Sequence, residues 1–167
     1  MKYGFLPFWA VMLSVLIGCT GMSSQTSNNT TIPITVLLEA HQCQFQEIVA
    51  SATWVRKAEH LDFSLAQQIK AAHPNAIPWD SDTLGVLVVH MGRQPTGGYR
   101  LSLSVPVIEA RRGSGVVNVT RHRPDIGAIV SQALSSPCLV LQFPYKDLKS
   151  LRVHDQDGRL MAEAAVR

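Results

Sequence analysis

The sequence predicts a mainly β domain of the α+β class, with one helix near the N-terminus and an antiparallel β-sandwich or small barrel as its body. Three observations favour this class: short stretches rich in branched residues, clusters of turn-forming residues between them, and a single segment with helical periodicity. An immunoglobulin-like sandwich is compatible with the same pattern. A chain of 167 residues has the length of one such domain with a short extension.

The helix is predicted at 53–72, where apolar side chains recur at spacings of three or four. Trp54, Leu61 and Leu65 belong to this series, and polar residues fill the positions between them. A break in the helix is expected near Asp62, and His73-Pro74 ends the segment.

Five stretches of mostly branched and apolar residues are predicted strands, at 32–43, 84–91, 99–105, 116–121 and 139–143. The second stretch is apolar at consecutive positions, which indicates a central strand covered on both faces. Asp157 and Gly158 lie between two further apolar stretches and predict a hairpin. The segment 125–134 fits either a short helix capped by Asp125 or an extended connection, and its periodicity does not decide between them.

Residues 1–18 are typical of an export signal. Lys2 precedes an apolar run that ends at Gly18 and is short for a membrane-spanning helix. The tetrad 16–19, Leu-Ile-Gly-Cys, resembles a bacterial lipobox. That resemblance implies a lipoprotein signal peptide at 1–18 and acylation of Cys19 by a lipid such as palmitate. An ordinary signal peptide with an incidental cysteine and an uncleaved anchor are the alternative interpretations.

Residues 19–31 are polar and of low complexity, which predicts a flexible tether. A single globular domain is then expected at 32–167. Because Thr20 is not aspartate, the resemblance to lipoproteins of two-membrane bacteria implies an outer-membrane anchor, with the domain in the cell envelope facing the periplasm.

The charge and the missing motifs limit the function. Removal of the signal would lower Lys+Arg from 15 to 14 against 12 acidic residues, for a net charge of +2, so we expect no binding to nucleic acid. The sequence contains no nucleophile elbow, zinc-protease motif, P-loop or dinucleotide fingerprint, so we expect no catalytic activity and no cofactor. Arginines nevertheless cluster, either as a solvated face or as a rim toward anionic lipid or an acidic partner: Arg93, Arg100, Arg111, Arg112, Arg121 and Arg123.

Two cysteines remain in the expected domain. Cys43 and Cys138 form an even pair in an exported chain, where a disulfide is permitted, and two separate buried thiols are the alternative. A metal site built from these cysteines with His41 and His90 lacks the paired spacing of structural zinc sites, so no metal is expected.

A further pattern concerns the turn after the central strand. The sequence Pro-Thr-Gly-Gly-Tyr at 95–99 is followed by an alternating strand, then by Ala-Leu-Ser-Ser-Pro-Cys at 133–138 and a last strand that ends at Phe143-Pro144. This resembles the C-terminal domain family named for the protease complex subunit PrcB, over about 77–145. The resemblance implies a small β domain in an exported protein, often a lipoprotein, and a non-catalytic role in the maturation or stability of a surface protease.

The turn 95–99 is also the candidate partner-binding loop, with Pro95, Thr96, Gly97, Gly98 and Tyr99 as its residues. Glycines tolerate positive φ and Pro95 stiffens the loop, so it could be a plain hairpin turn or a rigid docking loop.

The same turn resembles one loop of chagasin-like cysteine-protease inhibitors, and the glycine-rich turn at 113–115 resembles a second. The Arg-Pro-Trp signature of their third loop is absent, since the sequence has Arg123-Pro124-Asp125.

We therefore expect an envelope lipoprotein that acts by protein–protein interaction, as an assembly or stability factor for an exported partner such as a protease. The alternative is a protease inhibitor that uses the loop Gly92–Tyr99.

Overall fold

The computed structural model describes residues 29–43, 48–74 and 82–166, and the side chain of Ala58 is not described. The predicted signal peptide, Cys19 and most of the tether lie outside the described residues. The predicted tether and domain meet near Thr30 and Thr31, which already belong to the first strand.

The chain forms ten strands and one α-helix within the described ranges. The elements are β1 (Thr30–Pro33), β2 (Thr35–Ala40), β3 (Ser51–Val55), a 3₁₀ turn (Ala58–His60), α1 (Phe63–Ala72), β4 (Leu84–His90), β5 (Arg100–Leu103), β6 (Val107–Arg111), β7 (Ser114–His122), β8 (Cys138–Pro144), β9 (Ser150–His154) and β10 (Leu160–Ala165). In this part of the chain no helix is long and apolar enough to cross a bilayer.

The strands form two sheets that face each other as an open sandwich. One sheet has four strands in the order β2-β8-β4-β3, all antiparallel. The other has six strands in the order β1-β6-β7-β9-β10, with β5 paired to β7, and its single parallel pair is β7 with β9. The described strands do not close into a barrel. The predicted class of mainly β with one short helix is confirmed, and of the two predicted architectures the sandwich is the one observed.

The main core lies between the two sheets. The four-stranded sheet contributes the buried side chains of Leu87, Val89, Leu139, Leu141 and Phe143. The six-stranded sheet contributes the buried side chains of Leu101, Ile108, Val117, Val119, Leu151 and Val153.

A second core lies on the other face of the four-stranded sheet. Val86, Val88 and Val140 point to this face, and Leu65 and Ile69 of α1 cover them. Strands β4 and β8 are therefore buried on both faces, which confirms the prediction of a central strand at 84–91.

The predicted helix was too long at its N-terminal side. Trp54 lies in β3, opposite Leu87 of β4, and its ring covers Gly85, where a Cβ would overlap the indole. The indole also contacts Phe143, with ring centroids 5.6 Å apart. The helix begins only after Asp62, which caps α1 because its Oδ1 accepts hydrogen bonds from the backbone amides of Ser64 and Leu65.

The predicted strand at 32–43 is divided, and the predicted strand at 99–105 is shortened to β5. Ile34 separates β1 from β2, so the chain changes sheets at that residue. Pro106 lies between β5 and β6, which pair with successive parts of β7. The segment 125–134 is an extended connection without helix, the second of the two alternatives. The hairpin around Asp157 and Gly158 is formed by β9 and β10, as predicted.

Candidate functional site

The four-stranded sheet continues beyond one end as a small platform. At this end β2 and β4 finish while β3 and β8 begin, because Ala40 and His90 both lie opposite Cys138, and His90 also lies opposite Ser51. The flanking residues stay side by side in the same order. We define the platform as residues 41–43, 48–50, 91–94 and 135–137.

Backbone hydrogen bonds join the two central segments of the platform. The Met91 amide donates to the Pro137 carbonyl at 2.9 Å. Gln94 and Ser135 exchange two backbone bonds, at 2.8 and 3.1 Å. The Ser135 side chain adds a bond to the Thr96 carbonyl at 2.6 Å, which fixes the start of the loop 95–99.

The outer segments are held in the same way. The Cys43 amide donates to the Ser136 carbonyl at 2.8 Å, and the Arg93 amide donates to the Ile48 carbonyl at 3.3 Å. Gly92 has a φ of 82°, and a Cβ there would lie 2.8 Å from the carbonyl carbon of Val49. The close approach of this segment therefore requires glycine at position 92.

A disulfide between Cys43 and Cys138 fastens the platform to the sheet. Their Cα atoms lie 5.9 Å apart, and both residues are buried. Of the two alternatives that the sequence left open, the structure has the bridge. The sulfur atoms are bonded to each other, and among the described residues no group of three or more His, Cys, Asp or Glu could hold a metal ion.

The loop 95–99 lies against the extended segment 123–134. The Gly97 amide donates to the Ser131 carbonyl at 2.8 Å. At Gly98, φ is 83°, and a Cβ would lie 2.9 Å from Cγ1 of Val130 and 3.1 Å from Cβ of Pro124. Of the two adjacent glycines, only Gly98 has positive φ, so Gly98 and not Gly97 is the position in this turn where an L side chain would be strained.

The exposure of the loop residues is uneven. Pro95 and Gly98 are exposed, whereas Thr96 and Gly97 are half-buried beneath the neighbouring segment. Tyr99 is half-buried and packs against the inter-sheet core, and its carbonyl accepts a hydrogen bond from Nδ1 of His41 at 3.3 Å. The loop is thus part of a hydrogen-bonded frame that presents other side chains.

Those other side chains are apolar. Eight large hydrophobic residues are exposed in the described part of the chain, and five of them flank the loop on two sides: Ile48, Val49, Ile126, Ile129 and Leu134. Ile126 and Ile129 are as exposed as in an extended peptide, at 107% and 103%. This exposure was not predicted, because apolar residues in 125–134 also fit a helix with a buried face.

We call this region the platform end: the platform, the loop 95–99 and the segment 123–134. Five of the eight exposed large hydrophobic residues in the described part of the chain lie in this region, and concentrations of exposed apolar side chains are typical of interaction sites. Backbone hydrogen bonds join the segments of the platform end to one another, so the apolar side chains project from a fixed frame.

The clustered arginines do not share one rim. Arg93, Arg100 and Arg123 are exposed at the platform end. Arg93 precedes the loop 95–99, Arg100 follows it, and Arg123 precedes Pro124. Arg121 is half-buried in β7 near the platform end, whereas Arg111 ends β6 and Arg112 begins the turn at the other end of β7. Since β7 has nine residues, its two ends are separated by roughly 26 Å at about 3.3 Å per residue.

Comparison with protein families gives one match in this region. Residues 86–144 match the family model described as PrcB C-terminal, which is less than half of the chain. The comparisons with curated proteins and with solved structures gave no match. The matched range runs from β4 to the end of β8 and includes the loop 95–99, the segment 123–134 and the two central platform segments. The part of this chain between residues 86 and 144 is therefore a PrcB C-terminal-like segment.

Proposed function

We propose that this chain is a non-catalytic, lipid-anchored envelope protein whose platform end binds another exported protein, a protease or a component of a protease assembly. One observation carries the proposal: five exposed apolar side chains surround a loop whose backbone is fixed by hydrogen bonds. The family match supports the association with a protease complex.

The energetics favour a bound partner. Burying one isoleucine side chain contributes roughly 1.5–3 kcal/mol. Ile126 and Ile129 gain nothing from this term in the isolated chain, because both are fully exposed. A partner that covers them would gain this contribution without ordering the frame, whose segments already hydrogen-bond to one another.

The charges define the partner's surface. Arg93, Arg100 and Arg123 form no ion pair with any other described residue, although Asp125 lies two residues after Arg123. A matching partner carries apolar side chains bordered by carboxylates. Rim charges of this kind mainly raise the association rate and select partners.

The lipid anchor is the second part of the proposal and is supported by the sequence at 16–19. Replacing Cys19 with Ser removes the thiol that receives the acyl chain, so labelling by a fatty-acid probe is expected to disappear. Persistent labelling of the Cys19→Ser chain would refute the anchor at this residue.

Photo-crosslinking tests the binding surface. A photoreactive amino acid at Ile129 is expected to give one discrete crosslinked product in intact envelopes. The same amino acid at Phe63, which is 76% exposed on α1, is the matched control and should not give that product. In the double variant Ile126→Ser and Ile129→Ser the partner should be lost, whereas Phe63→Ser should retain it. The same product from both positions would overturn the assignment of the surface.

The activity of a captured protease separates the two roles. If the chain is a stability factor, the bound protease stays active. Altering the platform end then lowers the abundance of the protease. An inhibitor that uses the loop Gly92–Tyr99 blocks the protease stoichiometrically. The rigidity of this loop favours the inhibitor as the second candidate, because inhibitory loops bind with little loss of conformational freedom.

A further inference from the structure

The chain enters the described domain at the end opposite to the platform. Strand β1 is antiparallel to β6, with Thr30 opposite Ala110 and Pro33 opposite Val107. Strand β6 runs toward the turn that precedes β7, and β7 runs back toward the platform end. The first strand residue, Thr30, therefore lies beside the β6–β7 turn. We call this the tether end.

Basic side chains concentrate at the tether end. The β6–β7 turn contacts the turn after β8, since the Lys149 amide donates to the Gly113 carbonyl at 2.7 Å. A Cβ at Gly113 would lie 3.4 Å from Cδ of Lys149, so the two turns are in van der Waals range. We define the tether-end cluster by its four exposed cations: Arg111, Arg112, Lys146 and Lys149.

The cations of this cluster form no ion pair with any other residue that the structure describes. Asp147 lies among them as an exposed carboxylate, so the cations remain in excess. Clusters of this kind are attracted to anionic lipid surfaces, and the attraction decays within a Debye length, about 8 Å at physiological salt.

We propose that the tether-end cluster binds the anionic headgroups of the membrane that holds the Cys19 lipid, and so turns the platform end away from that membrane. This inference rests on the lipid anchor of the proposed function. The anchor alone does not set the orientation. Eleven residue steps separate Cys19 from Thr30, a reach of up to roughly 40 Å when extended, so the tether allows either end to approach the bilayer.

The tether-end cluster supplies the preference for one orientation that the anchor lacks. It lies beside the point where the tether joins the domain, so the lipid keeps it near the headgroups at high effective concentration. A weak attraction between each basic side chain and the headgroups is then sufficient to orient the domain. The platform end lies beyond the length of β7, roughly 26 Å further out, where a partner can reach its apolar residues.

The test uses the full lipidated chain in bilayer nanodiscs of phosphatidylethanolamine, with or without phosphatidylglycerol, and a paramagnetic lipid in the headgroup layer. With phosphatidylglycerol we expect strong broadening of the amide signals of residues 111–114 and 146–149. The triple variant Arg111→Glu, Arg112→Glu and Lys149→Glu should lose this broadening, with roughly a fivefold fall in the docking equilibrium for each cation removed. Raising the salt should weaken it as well.

The triple variant Arg93→Glu, Arg100→Glu and Arg123→Glu is the matched control, with the same change of charge at the platform end. It should keep the broadening of the tether end. Broadening of residues 125–134 instead, or broadening that is independent of phosphatidylglycerol, would overturn the inference. A chain that fails to enter the nanodisc is a different result, because it contradicts the lipid anchor itself.

Discussion

Gly98 is a residue in which a left-handed backbone conformation and close side-chain packing coincide. Its φ of 83° lies in the left-handed region, and Val130 and Pro124 occupy the space where a Cβ would project. Gly127, with a φ of 84°, has the same backbone conformation but no heavy atom within 4 Å of that position. Alanine substitutions at the two glycines therefore separate the free-energy cost of a left-handed backbone from the cost of the steric contact.

We expect Gly127→Ala to lower the free energy of unfolding by about 1–2 kcal/mol, the cost of left-handed backbone in an L-residue. Gly98→Ala should lower it further, because the new methyl group also displaces Val130. Chemical denaturation of both variants measures the difference. Equal losses would show that the segment 123–134 moves away without cost.

The helix is the element whose beginning depends on a single side chain. Asp62 Oδ1 accepts hydrogen bonds from the amides of Ser64 and Leu65, at 3.0 and 3.2 Å. Asp62→Ala should lower the free energy of unfolding by about 1 kcal/mol. Ser64→Ala is the control, since its hydroxyl makes only a 3.5 Å contact with Gln68. A loss as large for Ser64→Ala would contradict the capping role.

The disulfide joins the platform segment that follows β2 to the start of β8. Replacing Cys43 and Cys138 together with alanine should lower the free energy of unfolding by roughly 2–5 kcal/mol. Amide exchange should also accelerate at Gln94 and Ser135, because the platform loses its covalent support. Thermal unfolding and hydrogen exchange measure the two effects. If amide exchange at the platform is unchanged, the disulfide stabilises the protein only by constraining the unfolded chain.

Local pattern was enough to predict some elements. The apolar run of β4 and the Asp157-Gly158 hairpin were both predicted, because each is specified by neighbouring residues. The helix start was wrong because the spacing of Trp54 suits a helix, while its ring is needed over Gly85, which is distant in sequence. The platform could not be predicted for the same reason, because its segments come from three regions that are distant in sequence.

At the scale of the whole molecule, we propose different roles for the charges at the two ends. The double variant Arg93→Glu and Arg123→Glu should weaken binding of the captured partner at least about tenfold at low salt, with the loss mainly in the association rate. The effect should shrink as the ionic strength rises. Surface plasmon resonance at several salt concentrations measures both rates.

Arg111→Glu with Arg112→Glu is the control for that measurement, because these side chains lie at the opposite end of β7. It should change the affinity for the protein partner by less than about twofold. Equal weakening by both double variants would show a response to net charge and would contradict a local rim.

The position of β8 has a consequence for the order in which the chain can fold. It pairs with β2 on one side and with β4 on the other, yet it follows seven other strands in the sequence. When the chain emerges with its N-terminus first, Cys138 follows Cys43 only after 95 residues. Strand β2 cannot join β4 in the sheet until β8 lies between them. Folding governed by such distant pairings is slow. Until β8 is in place, β2 and β4 lack the strand that joins them and the disulfide cannot close.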